Sequence, residues 1–358
     1  LSQEVENVVS KKYVYFFGGG EADGDASMKD LLGGKGANLA EMTRLKLPVP
    51  PGFTISTDMC HYYLKNNHTY PDDLRPRVDE VLARMEKIMG RRFGDPSSPM
   101  LVSVRSGAPV SMPGMMDTVL NLGLNDVIVE GLAKQTNARF AYDAYRRFLK
   151  MYGDVVLGVK AEQHEGIDPF EKAIDRLKHA RGIQQDTEMS TEDLQQLCVE
   201  FRSIIRTRTG QDVPEDPRAQ LRQAAGAVFG SWNNPRAVSY RQLNRIAHDL
   251  GTAVNIQAMV YGNMNDDCAT GVAFTRDSSL GDNALHGEFL NNAQGEDVVA
   301  GTRTPMPLSK HQKAEGETVL SLEEMKPALY AELLRIRDVL EKHYRDMQDI
   351  EFTIQDGQ

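Results

Sequence analysis

Apolar and polar positions change their period along this chain. Between Tyr13 and Leu124 short apolar runs alternate with Gly and Pro clusters, the pattern of a mixed α/β domain. Leu101–Val104 and Asp117–Leu122 read as strands, and Ser106–Gly114 between them is rich in Gly, Pro and Ser. From Asn125 to about Val213 strand signals almost vanish and charges are dense. Leu132, Phe140, Tyr145 and Phe148 keep a helical register, and a second periodic helix is predicted near Thr191–Ile205, so this stretch reads as a helical insertion. Val213–Pro217 reads as a linker. A helix follows to about Phe229, and Pro235 fits the first position of another.

After Gly251 strands return at Thr252–Val260, Thr270–Phe274 and Gly287–Leu290. Glu323–His343 is predicted as one long helix with Leu329, Leu333, Ile336 and Leu340 on one face. Asp349–Ile354 then alternates strictly, and Asp356–Gly357 is a hairpin signal. The sequence stops one residue later, so the expectation is a fragment of something longer, without the hairpin's return strand. The resulting plan is a first subdomain at 1–124, a helical insertion at 125–214, a helical return at 215–250 and a second subdomain at 251–358.

Composition narrows the class. The 358 residues carry 41 basic and 51 acidic side chains, a formal charge of −10. That balance argues against nucleic acid as the main partner, which needs an excess of Lys and Arg. No run of about 18 apolar residues exists, so no membrane span is expected. Leu1–Lys12 is polar and mixed in charge, without a signal or transit pattern. Cys60, Cys198 and Cys268 are far apart and odd in number, so they read as free thiols in a reducing compartment. The expectation is an intracellular, non-secreted enzyme or part of one.

Several stretches carry candidate chemistry, each with two readings. Leu32–Leu39 sets three glycines around Lys35 before a short helix. It is either a phosphate cradle, with backbone approach, a cation and helix N–H groups, or a Gly-rich turn with a solvated lysine. It is not the eight-residue P-loop pattern. Arg105, in Ser103–Gly107, ends an apolar strand and is either a phosphate fork or a salt-bridged structural arginine. Ala108–Thr118 holds Ser111, Gly114 and three methionines, Met115 among them. It is either a lid with Ser111 and backbone N–H groups facing phosphate, or a loop whose methionines fill gaps beneath it.

Asp349 and Glu351 lie two apart on a strand and so share one face. They are either Mg²⁺ ligands or a solvated polar face, with Ile350, Phe352 and Ile354 toward the core. Gly287–Glu288 and the polar loop Asn291–Val299 suit a ribose, a metal or an ordinary turn. Asn255–Val260 either walls an adenine ring or is core. No zinc spacing, nucleophile elbow or dinucleotide fingerprint occurs, and the eight scattered histidines read as non-catalytic.

Together these stretches resemble one family closely, the N-terminal nucleotide-binding portion of pyruvate phosphate dikinase. The matching segments are Leu31–Met42, Pro50–Thr54, Ser103–Asp126, Arg139–Phe148, Ser231–Ala237, Gly287–Gly301 and Met347–Ile354. The run MPGMMDTVLNLGLND within Ser103–Asp126 is the most specific, and the likeness extends from Lys12 to the end.

The resemblance implies an α/β (α+β), ATP-grasp-like fold. Two α/β subdomains would clamp ATP, with the helical insertion alongside. The full enzyme converts ATP, pyruvate and phosphate to AMP, phosphoenolpyruvate and diphosphate. Phosphate passes through a histidine of a central domain that lies outside this chain. Carried over, Lys35 and Arg105 hold the nucleotide phosphates as the catalytic pair, and the Ser111–Gly114–Met115 loop closes on them. Asp349 and Glu351 bind Mg²⁺. Glu288, Gln257 and Met259 lie near the adenosine, and Arg147 meets the phosphates or the central domain. The full-length enzyme is expected to be a homo-oligomer in the cytoplasm, a plastid or a glycosome. The chain alone is expected to show weak or absent ATP binding and no complete turnover. Alternatives are the nucleotide domain of phosphoenolpyruvate synthase, which uses water in place of phosphate, and a non-catalytic nucleotide-binding module. The MPGMMDTVLNLGLND run favours the phosphate-using dikinase.

Overall fold

The computed structural model describes residues 11–162, 166–301, 303–314, 316 and 318–358, so most of the Leu1–Lys12 stretch lies outside the described residues. The chain divides after Met259 into two compact units.

The first unit is built on β1 (Val14–Gly18), β2 (Glu21–Ala22) and β3 (Gly52–Ile55). It continues with β4 (Arg92–Phe93), β5 (Pro99–Met100), β6 (Val102–Gly107), β7 (Thr118–Leu122) and β8 (Ala253–Ala258). Six of these form one sheet in the order β2-β1-β3-β8-β6-β7, and every pairing in it is antiparallel. β4 and β5 form a short parallel pair. β8 sits at the centre of the sheet, flanked on both sides and almost wholly buried. The order of strands along the chain groups this segment with the later strands, and the sheet corrects that. A buried strand carries no local mark of which sheet it joins, and its partners β3 and β6 lie some 150–200 residues earlier.

Helices α1 (Lys29–Arg44), α2 (Thr57–Lys65) and α3 (Leu74–Met89) alternate with the first strands. The expected helical insertion follows β7 as α4 (Asp126–Gln135), α5 (Ala138–Met151), α6 (Pro169–Arg181) and α7 (Thr191–Thr209). Its boundaries are chemical. Asn125, Asn137, Asp168 and Ser190 each accept hydrogen bonds from the first backbone N–H groups of the helix they open. Gly182 and Gly210 close α6 and α7 in the left-handed conformation. The predicted linker supplies Asp216 as the cap and Pro217 as the first residue of α8 (Pro217–Ser231), and Pro235 starts α9 (Pro235–Asn244).

The second unit holds β9 (Ala269–Phe274), β10 (His286–Asn291), β11 (Met306–Pro307) and β12 (Asp349–Ile354), in the order β11-β10-β9-β12. One face packs on a core of Phe289, Leu308, Leu322, Leu333 and Ile354, with Ile350 and Phe352 against it. The predicted inward side of β12 is therefore the observed one. The short helix α10 (Gly295–Ala300) follows β10. The single helix expected over Glu323–His343 is two, α11 (Leu322–Met325) and α12 (Pro327–Tyr344). Pro327 has no N–H to continue the ladder and disfavours a helical residue before it, so the break falls at Lys326. β12 runs into Gln355–Gln358, a tight turn closed by two backbone hydrogen bonds with Asp356 and Gly357 both at positive φ. That is the hairpin geometry an Asp-Gly pair favours. Burial pushes the Cys60 thiol up to about 11, and all three cysteines are buried and unbridged.

Candidate active site

In the first unit one row of residues crosses five strands in register: Tyr15, Thr54, Asn255, Arg105 and Thr118. Directly paired residues of antiparallel strands point to the same face. Arg105 therefore stands beside Asn255, near the end of β6, on the face that α1 covers.

The glycine stretch is where α1 meets this row, and its form differs from a simple loop. Gly33 has φ 69° and ψ 167°, which breaks α1 into a first turn and a second segment. Gly34, Lys35 and Gly36 open that second segment, so Lys35 rides a helical first turn. Each glycine has its own reason. A Cβ at Gly33 would stand 1.7 Å from the Gly107 carbonyl oxygen. At Gly36 it would stand 2.7 Å from Thr54 Oγ1 and 2.8 Å from Asn255 Oδ1. Gly34 N–H donates to the Ala108 carbonyl at 2.9 Å. The turn bearing Lys35 thus rests on Gly107 and Ala108, the residues that follow Arg105 and Ser106. Lys35 itself is exposed, and Arg105 is half-buried. The fold brings the two predicted phosphate-binding side chains to the same end of one sheet.

The loop from Ala108 to Thr118 leaves this end of β6. Ser111 and Gly114 are exposed, and Gly114 takes φ 70° with open space around it. Met112 is buried with Trp232 and Ala237, and Met115 and Met116 pack on the same cluster beside Tyr240. The methionines therefore fill the space beneath the loop. The far end of the loop is pinned by polar contacts from the Ser231–Ala237 stretch. Asn234 Nδ2 donates to Asp117 Oδ2 at 2.9 Å, and Arg236 Nε donates to the Met115 carbonyl at 3.2 Å. Arg236 also forms an ion pair with Asp117. These anchors were missed as functional residues in the sequence. The available signal was a polar, Pro-started helix entry (Ser-Trp-Asn-Asn-Pro-Arg) with no local role.

Arg147, on α5, is ion-paired with Asp143 at 3.0 Å. Asp143 is buried and also takes Arg146 at 2.6 Å, while Arg146 reaches Asp186 at 3.0 Å. Burial pushes the Asp143 carboxyl up, but the Arg147 and Arg146 guanidiniums outweigh it and hold it below the usual carboxylate range. The structure thus shows Arg147 as part of a buried charge cluster within the insertion. Gln257 is half-buried and its Nε2 donates to the Pro50 carbonyl at 3.0 Å. Met259 is also half-buried, with its backbone N–H on the Leu101 carbonyl at 2.9 Å.

In the second unit Val272 of β9 pairs with Glu288 on one side and Glu351 on the other. Phe274 likewise stands between His286 and Asp349. Asp349, Glu351 and Glu288 therefore project from one sheet face, opposite the core, with Asp349 and Glu351 exposed. Among the described residues no group of three or more His, Cys, Asp or Glu side chains lies close enough to hold a metal unaided. A carboxylate pair of this kind fits Mg²⁺, which commonly uses one or two carboxylates and completes its shell with phosphate and water oxygens.

Over residues 29–85 and 67–326 the chain matches the family described as pyruvate phosphate dikinase, AMP/ATP-binding domain. The chain belongs to this family. It is 55% identical over 348 residues to a pyruvate, phosphate dikinase of Rhizobium meliloti (strain 1021), covering 97% of this chain and 38% of the relative. It is 49% identical over 348 residues to pyruvate, phosphate dikinase 1, chloroplastic, of Arabidopsis thaliana, and to pyruvate, phosphate dikinase of Clostridium symbiosum. Those alignments again cover 97% of this chain, but 34% and 37% of the relatives. The chain thus spans little more than a third of the dikinases it matches. The glycine stretch and the methionine loop lie within the residues matched by the family. No described helix is long and apolar enough to cross a membrane.

Proposed function

We propose that this chain is the nucleotide-binding part of a pyruvate, phosphate dikinase with an ATP-grasp-like fold. It binds ATP with Mg²⁺ and supports phosphoryl transfer to a histidine of a central domain outside this chain. The overall reaction is ATP, pyruvate and phosphate to AMP, phosphoenolpyruvate and diphosphate. The observation that carries this reading is the seating of the Lys35 turn on Gly107 and Ala108, just beyond Arg105.

Phosphoryl transfer is mostly positioning and neutralisation of spreading negative charge. Lys35 supplies a compact cation on a helical first turn, where backbone N–H groups and the helix dipole also favour anions. Arg105 supplies a planar fork for phosphate oxygens. The Ser111–Gly114–Met115 segment covers the phosphates, with its methionine underside held on Trp232. Asp349 and Glu351 hold Mg²⁺, which neutralises phosphate charge when bound. Gln257, Met259 and Glu288 accompany the adenosine, and Arg147 serves the phosphates or the central domain. No general base is required in this part.

NMR titration of the whole chain with ATP tests the reading. Saturable shifts are expected, reaching millimolar concentrations, and they should be lost in Lys35→Ala and Arg105→Ala while the fold persists. Wild-type binding that survives both substitutions would overturn it.

A further inference from the structure

Asn255 is a polar residue buried beneath the proposed phosphate subsite. It lies in the otherwise apolar run Ala253–Ile256 and is 1% exposed. Its Oδ1 accepts from Thr54 Oγ1 at 2.8 Å. Its Nδ2 has no hydrogen-bond partner among the described residues. A buried amide donor left in that state is destabilising, and such a group calls for an explanation.

Its surroundings supply one. Gly36 closes over the Oδ1 end, as the 2.8 Å approach of a notional Cβ shows. Gly107 closes over the Nδ2 end, where a Cβ would stand 2.5 Å away. The same notional Cβ on Gly107 would stand 3.6 Å from Lys35 Cβ. Arg105 is the direct cross-strand neighbour of Asn255. One amide therefore lies under the turn that carries Lys35 and beside the strand that carries Arg105. Thr54 fixes its plane, which aims the electropositive NH₂ end toward Gly107.

We propose that Asn255 is a positioning residue of the phosphate subsite. It sets the spacing of Lys35 and Arg105 and turns the positive end of its amide dipole toward the bound phosphates. A preorganised dipole in a buried setting acts without having to reorient when charge arrives. An apolar residue of similar size would fill the space but would lose the tie to Thr54. The inference rests on the nucleotide reading above and deepens it.

The test compares ATP with adenosine, each titrated into the whole chain by NMR. Asn255→Ala and Thr54→Val are expected to weaken ATP binding about tenfold, roughly 1.4 kcal/mol, with adenosine affinity unchanged. Thr54→Ser keeps the hydroxyl and should retain ATP affinity. This pair keeps the test decisive if Asn255→Ala does not fold. An ATP-to-adenosine preference equal to wild type in folded Asn255→Ala or Thr54→Val would overturn the inference. So would a matched loss of both ligands, which marks a purely structural role. A wild-type chain that binds adenosine as tightly as ATP would instead overturn the phosphate reading itself, and the inference with it.

Discussion

Gly33 packs against Gly107 so closely that a Cβ on the first would stand 1.7 Å from the carbonyl oxygen of the second. The contact joins a helix break near the start of the chain to the strand end beyond Arg105. It requires two things at once: no side chain at Gly33, and a backbone at φ 69° and ψ 167°. That region of backbone space is essentially reserved for glycine, and strain there alone costs on the order of 1–3 kcal/mol. Gly33→Ala should therefore lose at least about 2 kcal/mol of stability and shift the Lys35 turn off Gly107. Chemical denaturation measures the first effect and ATP titration the second. A variant with wild-type stability and ATP affinity would show that the contact does not govern the turn.

The anchors of the methionine loop make a separate prediction. Arg236 is half-exposed, so its ion pair with Asp117 contributes less than about 1 kcal/mol to global stability. Its local effect is larger, because it also holds the Met115 carbonyl. Arg236→Ala should leave the denaturation midpoint nearly unchanged. It should also raise amide exchange at Met115 and Asp117 by about tenfold, since local opening is governed by local contacts. Hydrogen exchange followed residue by residue gives the answer, and unchanged rates at both amides would remove the anchoring role.

The Asp143 cluster gives a pH dependence whose sign can be worked out. The folded-state carboxyl lies below its ordinary value of 3.8, because Arg147 and Arg146 outweigh the burial that pushes it up. A depressed carboxyl contributes stability that is fully present above the unfolded-state value. That contribution fades as pH falls toward the lower folded-state value. Asp143→Asn removes the charge and leaves Arg146 and Arg147 without it, a loss of about 3 kcal/mol for a broken buried pair. The gap between wild type and Asp143→Asn should stay constant from neutral pH down to about pH 5, then narrow below about pH 4. Denaturation of both proteins across this range checks it. A gap that widens on acidification would reverse the assignment.

Much of this arrangement was legible in the sequence, and its gaps have physical causes. Strict alternation in Asp349–Ile354 disclosed both faces of β12, because a period of two leaves no ambiguity. Pro235 marks a helix start in the sequence because its fixed φ and missing N–H are local chemistry. The glycine stretch was visible as unusual, but Gly33 as a helix break was not. Its conformation is imposed by Gly107, over 70 residues away. β8 was assigned to the later strands for the same reason, since its partners are distant. Asn255 stands in the sequence only as part of an adenine-wall or core strand and Arg236 only within a matching segment, because each looks ordinary alone and gains a role only from a neighbour brought by the fold. Lys35 and Arg105 stand in separate sequence motifs, and the sheet register together with the α1 contact places them at one end.

The carboxylates of β12 make the last prediction. Asp349 and Glu351 are exposed, and no third ligand joins them to make a closed metal cage among the described residues. Removing the Asp349 charge should change stability by no more than about 0.5 kcal/mol, as for other surface substitutions. Mg²⁺ keeps most of its water and binds weakly to one or two carboxylates alone. Mg²⁺ by itself should accordingly give no saturable shift of Asp349 or Glu351 resonances at low millimolar concentration. Mg²⁺ added with ATP should do so, because the phosphates complete the shell. Asp349→Asn and Glu351→Gln should lose the Mg²⁺-dependent part of ATP affinity while keeping the part that depends on Lys35. Saturable binding of Mg²⁺ without nucleotide would point to a self-sufficient metal site. Equal ATP affinity with and without Mg²⁺ in the wild-type chain would remove these two residues from the nucleotide reading.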